Sequence, residues 1–148
     1  MRISAKGRYG LAAMIYLASG FEGQRFITVT SISEELDISK IYLEQVFSSF
    51  KKAGLVESAK GAGGGYRLLL PPDKVTVYDI LSATEQTLFE KAKEFPGSRA
   101  KNIDRAIRET VVEAVDRAVA DKLKSVTVYD LASAAEKYGT QDNIMFYI

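Results

Sequence analysis

The chain has 148 residues, 47% of them hydrophobic, and its 20 Lys/Arg against 19 Asp/Glu leave a formal net charge of +1. That length suits one domain, or a small domain with an appended element, and the near-neutral balance means that any footprint for nucleic acid must be local. Cysteine and histidine are both absent, which removes disulfides, thiol switches, Cys-ligated clusters, the usual zinc sites and every catalytic dyad or triad built on those side chains.

No apolar run approaches the ~18 residues of a membrane-spanning helix. The opening MRISAKGRYG lacks the apolar core of a signal peptide. A cytoplasmic protein without cofactor or metal is expected. From Met1 to Asp73 there are 9 Lys/Arg against 7 Asp/Glu, a weak local excess.

In chain order, Gly10–Ala18 (GLAAMIYLA) predicts a buried first helix. Ahead of it lies a basic arm, Arg2, Lys6 and Arg8, which reads either as a solvated terminus or as phosphate contacts beside a DNA-binding unit. Phe21–Arg25 reads as a loop and Phe26–Val29 as a short extended segment. Thr30 is the expected N-cap of the next helix, with Glu34 and Glu35 near its positive end. Ile32 and Leu36 share one face, and the helix should stop near Asp37. Ser39 then caps a helix whose expected apolar stripe is Ile41, Val46, Phe47 and Phe50, with Leu43 on its flank. Lys51 and Lys52 suit its last turn, and Gly54 its left-handed end.

Leu55–Ser58 and Tyr66–Leu70 predict two strands, joined by the loop Ala59–Gly65 (AKGAGGG) and ended by Pro71-Pro72. An internal echo follows. Val75–Glu85 (VTVYDILSATE) and Val126–Glu136 (VTVYDLASAAE) each place a threonine three residues before an aspartate, a variant of the capping box that opens a helix. Similar helix starts account for it more simply than a repeat does.

Pro96-Gly97 marks a boundary. Ser98–Lys124 is expected as one long helix, on which Ile103, Ile107, Val111, Ala114, Val115, Ala118, Val119 and Leu123 trace an apolar stripe. The stripe packs either on the chain's own domain or on a second copy; its small and β-branched residues, placed after a domain with its own core, favour dimerisation. The apolar end, Met145–Ile148, is expected to dock.

The chemistry concentrates between Thr30 and Leu70. Two short helices about a tight turn, then a glycine-rich loop between strands, is the order of a winged helix-turn-helix. A recognition helix presents its N-terminal outer residues to the major groove; here those are Ser39, Lys40, Tyr42, Glu44 and Gln45. Gln bonds adenine, Glu accepts from the cytosine amine, and Lys and Tyr suit the phosphate backbone. An ordinary solvated helix face is the alternative reading of these residues. The glycine loop fails as a nucleotide cradle, because position 66 is Tyr and a strand, not a helix, follows. It reads better as a wing, with Lys60 placed to enter a minor groove and Gly63, Gly64 and Tyr66 forming its close approach to DNA. A plain hairpin loop is its bland alternative.

Taken together, MRISAKGRY (Met1–Tyr9), SKIYLEQ (Ser39–Gln45), AGLV (Ala53–Val56), GAGGGYRL (Gly61–Leu68) and Val75–Glu85 resemble, in order, a family of winged-helix regulators. The family includes the iron–sulfur cluster regulator, the nitric-oxide-sensitive repressor and the cysteine-metabolism repressor. The resemblance implies a dimeric, DNA-binding transcription factor with contacts at Ser39, Tyr42, Glu44 and Gln45, and Lys60 near the position of a wing arginine. Cluster-binding members carry three cysteines in the region matching Gln86–Arg105, which here has none, so cluster sensing does not carry over. MFYI (Met145–Ile148) and TVYDL (Thr127–Leu131) are similar to the cluster-free cysteine-metabolism branch. That branch is controlled through a complex with O-acetylserine sulfhydrylase, which is thereby an implied partner.

The expected fold is mainly α with a small β-wing: a winged helix-turn-helix domain over residues 1–81, then a linker, a long dimerisation helix and a C-terminal helix or tail over 82–148. The expected function is a homodimeric repressor on a palindromic duplex operator, controlling cysteine or sulfur metabolism. A winged-helix protein-interaction adaptor, or a regulator of the same family answering an unknown small molecule, is the alternative. An enzyme is not expected.

Overall fold

A computed structural model describes residues 2–85, 87–94 and 98–146, with side chains up to Asp142 in the last helix and without that of Ser98. In chain order it contains α1 (Ala5–Ala18), α2 (Val29–Leu36), α3 (Lys40–Lys52), β1 (Val56–Ala59), β2 (Gly65–Leu68), α4 (Val77–Thr84), α5 (Lys101–Ile107), α6 (Glu113–Lys124) and α7 (Val128–Phe146). The mainly α fold with a two-stranded antiparallel wing is as expected.

α1 starts earlier than its apolar run suggests. Ser4 caps it, accepting a hydrogen bond from the Gly7 amide at 3.0 Å. Glu85, at the end of α4, accepts in turn from the Ser4 amide at 2.9 Å and from its hydroxyl. With the first-turn donors satisfied in this way, the helix extends back over polar residues. Lys6 and Arg8 therefore ride on α1 and do not belong to a free arm.

The N-cap of α2 is Thr28, not Thr30: its side chain accepts from the Ser31 amide at 3.0 Å. The extended segment before it shrinks to a single bridge, in which Ile27 and Tyr66 exchange backbone hydrogen bonds of 2.9 and 2.8 Å. α2 ends as expected at Asp37, which adopts the left-handed conformation (φ 52°, ψ 49°) that a short polar side chain tolerates. The Ser33 hydroxyl donates to the Ile38 carbonyl at 2.6 Å and braces that turn.

In α3 the buried stripe is Leu43, Val46, Phe47 and Phe50, spaced at one helical face. Ile41 is a correction to the expected stripe. It lies about 200° around the helix from Leu43 and stands 72% exposed. The strands sit one residue later at the first and shorter at the second than expected, pairing Val56 with Leu68 and Ala59 with Gly65.

One core unites these elements: Met14, Leu17, Ile32, Leu43, Phe47, Phe50, Val56, Val75 and Ile80 are buried together with Val128 from the start of α7. The two echoed segments meet there. Thr76 and Asp79 form a reciprocal capping box, with hydrogen bonds of 2.9 and 3.1 Å, and Thr127 and Asp130 repeat it at the same distances. The two helix starts lie side by side. Val77 donates to the Val126 carbonyl and Val128 to the Val75 carbonyl, both at 2.9 Å.

Between the echoes, the expected single helix is continuous but not uniform. A turn of 3-10 helix (Ser98–Ala100) leads into α5, and a π-helical turn over Arg108–Val112 joins α5 to α6. The Pro96-Gly97 boundary and the docking of Met145–Ile148 lie outside the residues and side chains described.

Candidate nucleic-acid interface

α3 is positioned by its buried face. Phe47 stacks on Tyr66 of β2, with ring centroids 4.6 Å apart and 22° between planes, and meets Phe50 edge-on at 5.8 Å. Ser39 caps the helix at its outer end, accepting from the Tyr42 amide at 3.4 Å. The opposite face is open: Ser39, Lys40, Ile41, Glu44, Gln45 and Ser48 are exposed. Such a face offers a cation, an amide, a carboxylate, hydroxyls and one branched apolar group, the mixture that base edges and phosphates require.

Tyr42 is half-buried and packs edge-on against Tyr9 of α1, with centroids 5.4 Å apart. Tyr9 is 36% exposed, so a pair of phenols borders the open face of α3. On the neighbouring turns of α1, Arg8 is exposed and Lys6 half-buried; Arg2 is exposed ahead of the helix. Sequence reading missed two members of this surface. Ile41 reads as inward by its hydrophobicity, while the phase set by Leu43, Val46 and Phe50 is the sequence signal that turns it out. Tyr9 carries no comparable signal, because its relation to Tyr42 is tertiary.

The wing is braced at its base. Arg67 of β2 pairs with Glu57 of β1, donates to the Gln24 carbonyl at 3.0 Å, and lies 4.3 Å from the centroid of Phe26. Lys51 at the end of α3 donates to the Ser58 hydroxyl at 2.7 Å. Lys60, Gly61, Ala62 and Gly63 form the exposed tip. Gly64 and Gly65 serve the hairpin itself. A Cβ at Gly64 would run into the Ala59 carbonyl, and one at Gly65 (φ 129°) into the Ile27 carbonyl. Gly64 is buried and the Tyr66 ring lies on the core, so both are placed to support the wing from within.

The long helix carries the other exposed surface. Ile103 (63%), Ile107 (42%), Val111 (53%) and Val115 (55%) are largely exposed, as are Ala114 and Ala118, while Val119 and Leu123 are half-buried. The stripe the sequence traced is therefore left open by the chain's own fold over much of its length.

A helix-turn-helix with an adjoining two-stranded wing and an amphipathic helix beyond it defines a winged-helix transcriptional regulator. Comparison with known proteins places it further. The pattern of the Rrf2 family, described as iron-dependent transcriptional regulators, matches residues 3–134. The HTH-type transcriptional regulator CymR of Bacillus subtilis (strain 168) is 40% identical over 148 residues, the full length of both chains. The solved structure of CymR (YrzC), described as the global cysteine regulator of B. subtilis, matches with a TM-score of 0.70 at 36% identity, covering 90% of this chain and 98% of that one. That of T. potens IscR matches with a TM-score of 0.70 at 35% identity, covering 93% and 90%. The chain belongs to the Rrf2 family of transcriptional regulators, and the resemblance read from its motifs is borne out.

The iron in the family's description finds no matching donors here. The sequence has no Cys or His, and among the described residues no three acidic side chains cluster to hold a metal ion. No helix among the described residues is long and apolar enough to cross a membrane.

Proposed function

We infer that this regulator binds duplex DNA as a two-fold dimer in the cytoplasm and represses genes of cysteine or sulfur metabolism. The open face of α3, held outward by a fully buried opposite face, is the observation that carries the DNA-binding reading. Gln45 and Glu44 are the proposed base readers, and Ile41 supplies apolar contact to a thymine methyl. Lys40, Arg2, Lys6, Arg8 and the Ser39 and Tyr42 hydroxyls serve the backbone, while Lys60 and Gly63 lead the wing. The exposed stripe from Ile103 to Val115 supports pairing of two long helices. The metabolic assignment rests on likeness to the regulator named for cysteine control, and so does a complex with O-acetylserine sulfhydrylase.

Selection of bound fragments from genomic DNA, with and without that enzyme, tests this reading. The expected outcome is enrichment of roughly palindromic sites, with binding that weakens steeply as salt rises through counterion release. Salt-insensitive binding, or none, would instead favour a protein-interaction adaptor.

A further inference from the structure

Three helices of this chain open on a capping box, and one of the three is built differently. α4 and α7 draw theirs from their own sequence: the Asp79 carboxylate reaches back to the Thr76 amide, and the Asp130 carboxylate to the Thr127 amide. α1 has the cap, Ser4, but its third residue is Gly7, which carries no side chain to reach back. The carboxylate comes instead from the end of α4, 81 residues away: Glu85 accepts from the Ser4 amide at 2.9 Å and from the Ser4 hydroxyl. A hydroxyl has one proton to give. Giving it to Glu85 leaves the Ser4 oxygen to accept from the Gly7 amide, at 3.0 Å. Gly7 is also what admits the carboxylate. A Cβ there would run into the Glu85 carboxylate oxygen and the Ile3 side chain, so the space left by a poor helix former is taken up by the box.

What this box holds is the cationic start of α1. Lys6 and Arg8 are the second and fourth residues of the helix, and Arg2 precedes the cap by two. Lys6 stands three residues before Tyr9 and shares its side of α1, and Tyr9 meets Tyr42 of α3 edge-on at 5.4 Å. None of the three cations forms an ion pair among the described residues, which leaves their charges for an external anion. Glu85 is itself the residue at which the backbone turns out of α4 (φ −107°, ψ 96°). One side chain thereby ties that exit to the edge of the open α3 face.

We propose that Glu85 is a positioning residue for DNA binding: by completing the capping box of α1 from α4, it holds Lys6 and Arg8 in a fixed helical frame for the phosphate backbone beside α3. The proposal rests on the reading of Lys6 and Arg8 as backbone contacts; the box stands without it.

The test uses the full chain and two duplexes, an operator recovered by the genomic selection and one of random sequence. Glu85→Ala takes a negative charge away from a polyanion, and charge alone would tighten binding. The box requires the reverse: binding about three- to tenfold weaker, as for a lost N-cap, and equally so on both duplexes, because backbone contacts carry no sequence information. Glu85→Gln, which loses the charge but keeps an acceptor, should recover most of the affinity. Ser4→Ala should weaken binding to a similar extent and add little to Glu85→Ala, since both break one box. Unchanged or tighter binding by Glu85→Ala, a loss confined to the operator, or additive losses in the double variant would each overturn the proposal. In a second arm, without DNA, amide hydrogen exchange in Glu85→Ala should quicken at Ser4, Gly7 and Arg8, whose amides the box and first turn engage, while α3 keeps its protection. No change there overturns the box. Quickened exchange, together with Lys6→Ala and Arg8→Ala variants that bind both duplexes as the wild type does, would instead overturn the backbone-contact reading and leave the box standing.

Discussion

Gln45 and Lys60 should fail in different ways when truncated. Gln45 stands on the open face of α3, where a bidentate bond to a base is worth about 1–3 kcal/mol of discrimination. Gln45→Ala should therefore weaken operator binding by that amount and leave random DNA nearly unaffected, measured by parallel titrations on the two duplexes. Lys60→Ala should weaken both alike and lower the slope of log K against log salt by about 0.9 for each phosphate contact removed. Gly65 makes a stability prediction. Its φ of 129° belongs to a region other residues rarely enter, and a Cβ there meets the Ile27 carbonyl. Gly65→Ala should cost roughly 1–3 kcal/mol or more, read as a fall in Tm. The residue types of this surface were legible in the sequence, because Ser39 as a cap and Gly54 as a stop fix where α3 begins and ends. Ile41 reads as inward by hydrophobicity alone, but the helical phase of Leu43, Val46 and Phe50 turns it out. Tyr66, expected at the wing's approach to DNA, stacks on Phe47, a tertiary contact that spacing does not announce.

Among the elements, the long helix was legible as an amphipathic stretch but not as a broken one. A π turn shifts the register by one residue, and a stripe of alanines and valines reads almost the same on either side of that shift. Its exposure leads to a sharp expectation. Ile107→Asp and Val111→Asp each place a charge where two such helices would pack, and an unpaired buried charge is costly enough to break an interface. Both variants should sediment as monomers while keeping the wild-type circular dichroism, since neither residue belongs to the core. Dimers in both cases would move the interface elsewhere. The N-terminus of α2 shows the reverse problem. Thr28 and Thr30 are equally good caps by type, and the choice falls on Thr28 because the backbone exchange between Ile27 and Tyr66 ends the extended chain there.

For the whole molecule, two open α3 faces related by a two-fold axis would address major-groove sites about 34 Å apart, one DNA turn, or a multiple of it. The operator should lose affinity when half a turn is inserted between its halves and regain it with a full turn; a flat response to spacing would exclude simultaneous reading by both subunits. The order of elements along the chain was legible from caps, turns and periodicity. The burial of Val128 in the same core as Met14 and Leu17 was not, because closing a loop of some fifty residues leaves no mark on the local pattern.

That closure has a topological meaning. The chain leaves the winged core only after α4, whose Ile80 is buried in it, and returns at Val126–Val128, where the backbone is held against Val75–Val77 by two hydrogen bonds. The stretch from the end of α4 to Lys124 is an excursion whose return is rooted beside the start of α4, comparable to a domain inserted into a host. A graft across that root should leave the host foldable: replacing Thr87–Lys124 by a short glycine–serine bridge should give a monomer that still melts cooperatively. An unfolded product would show that the host depends on its guest. Tyr78 of α4 also meets Phe89 and Lys124 of the excursion, which is thereby held to its host beside the root as well as at it.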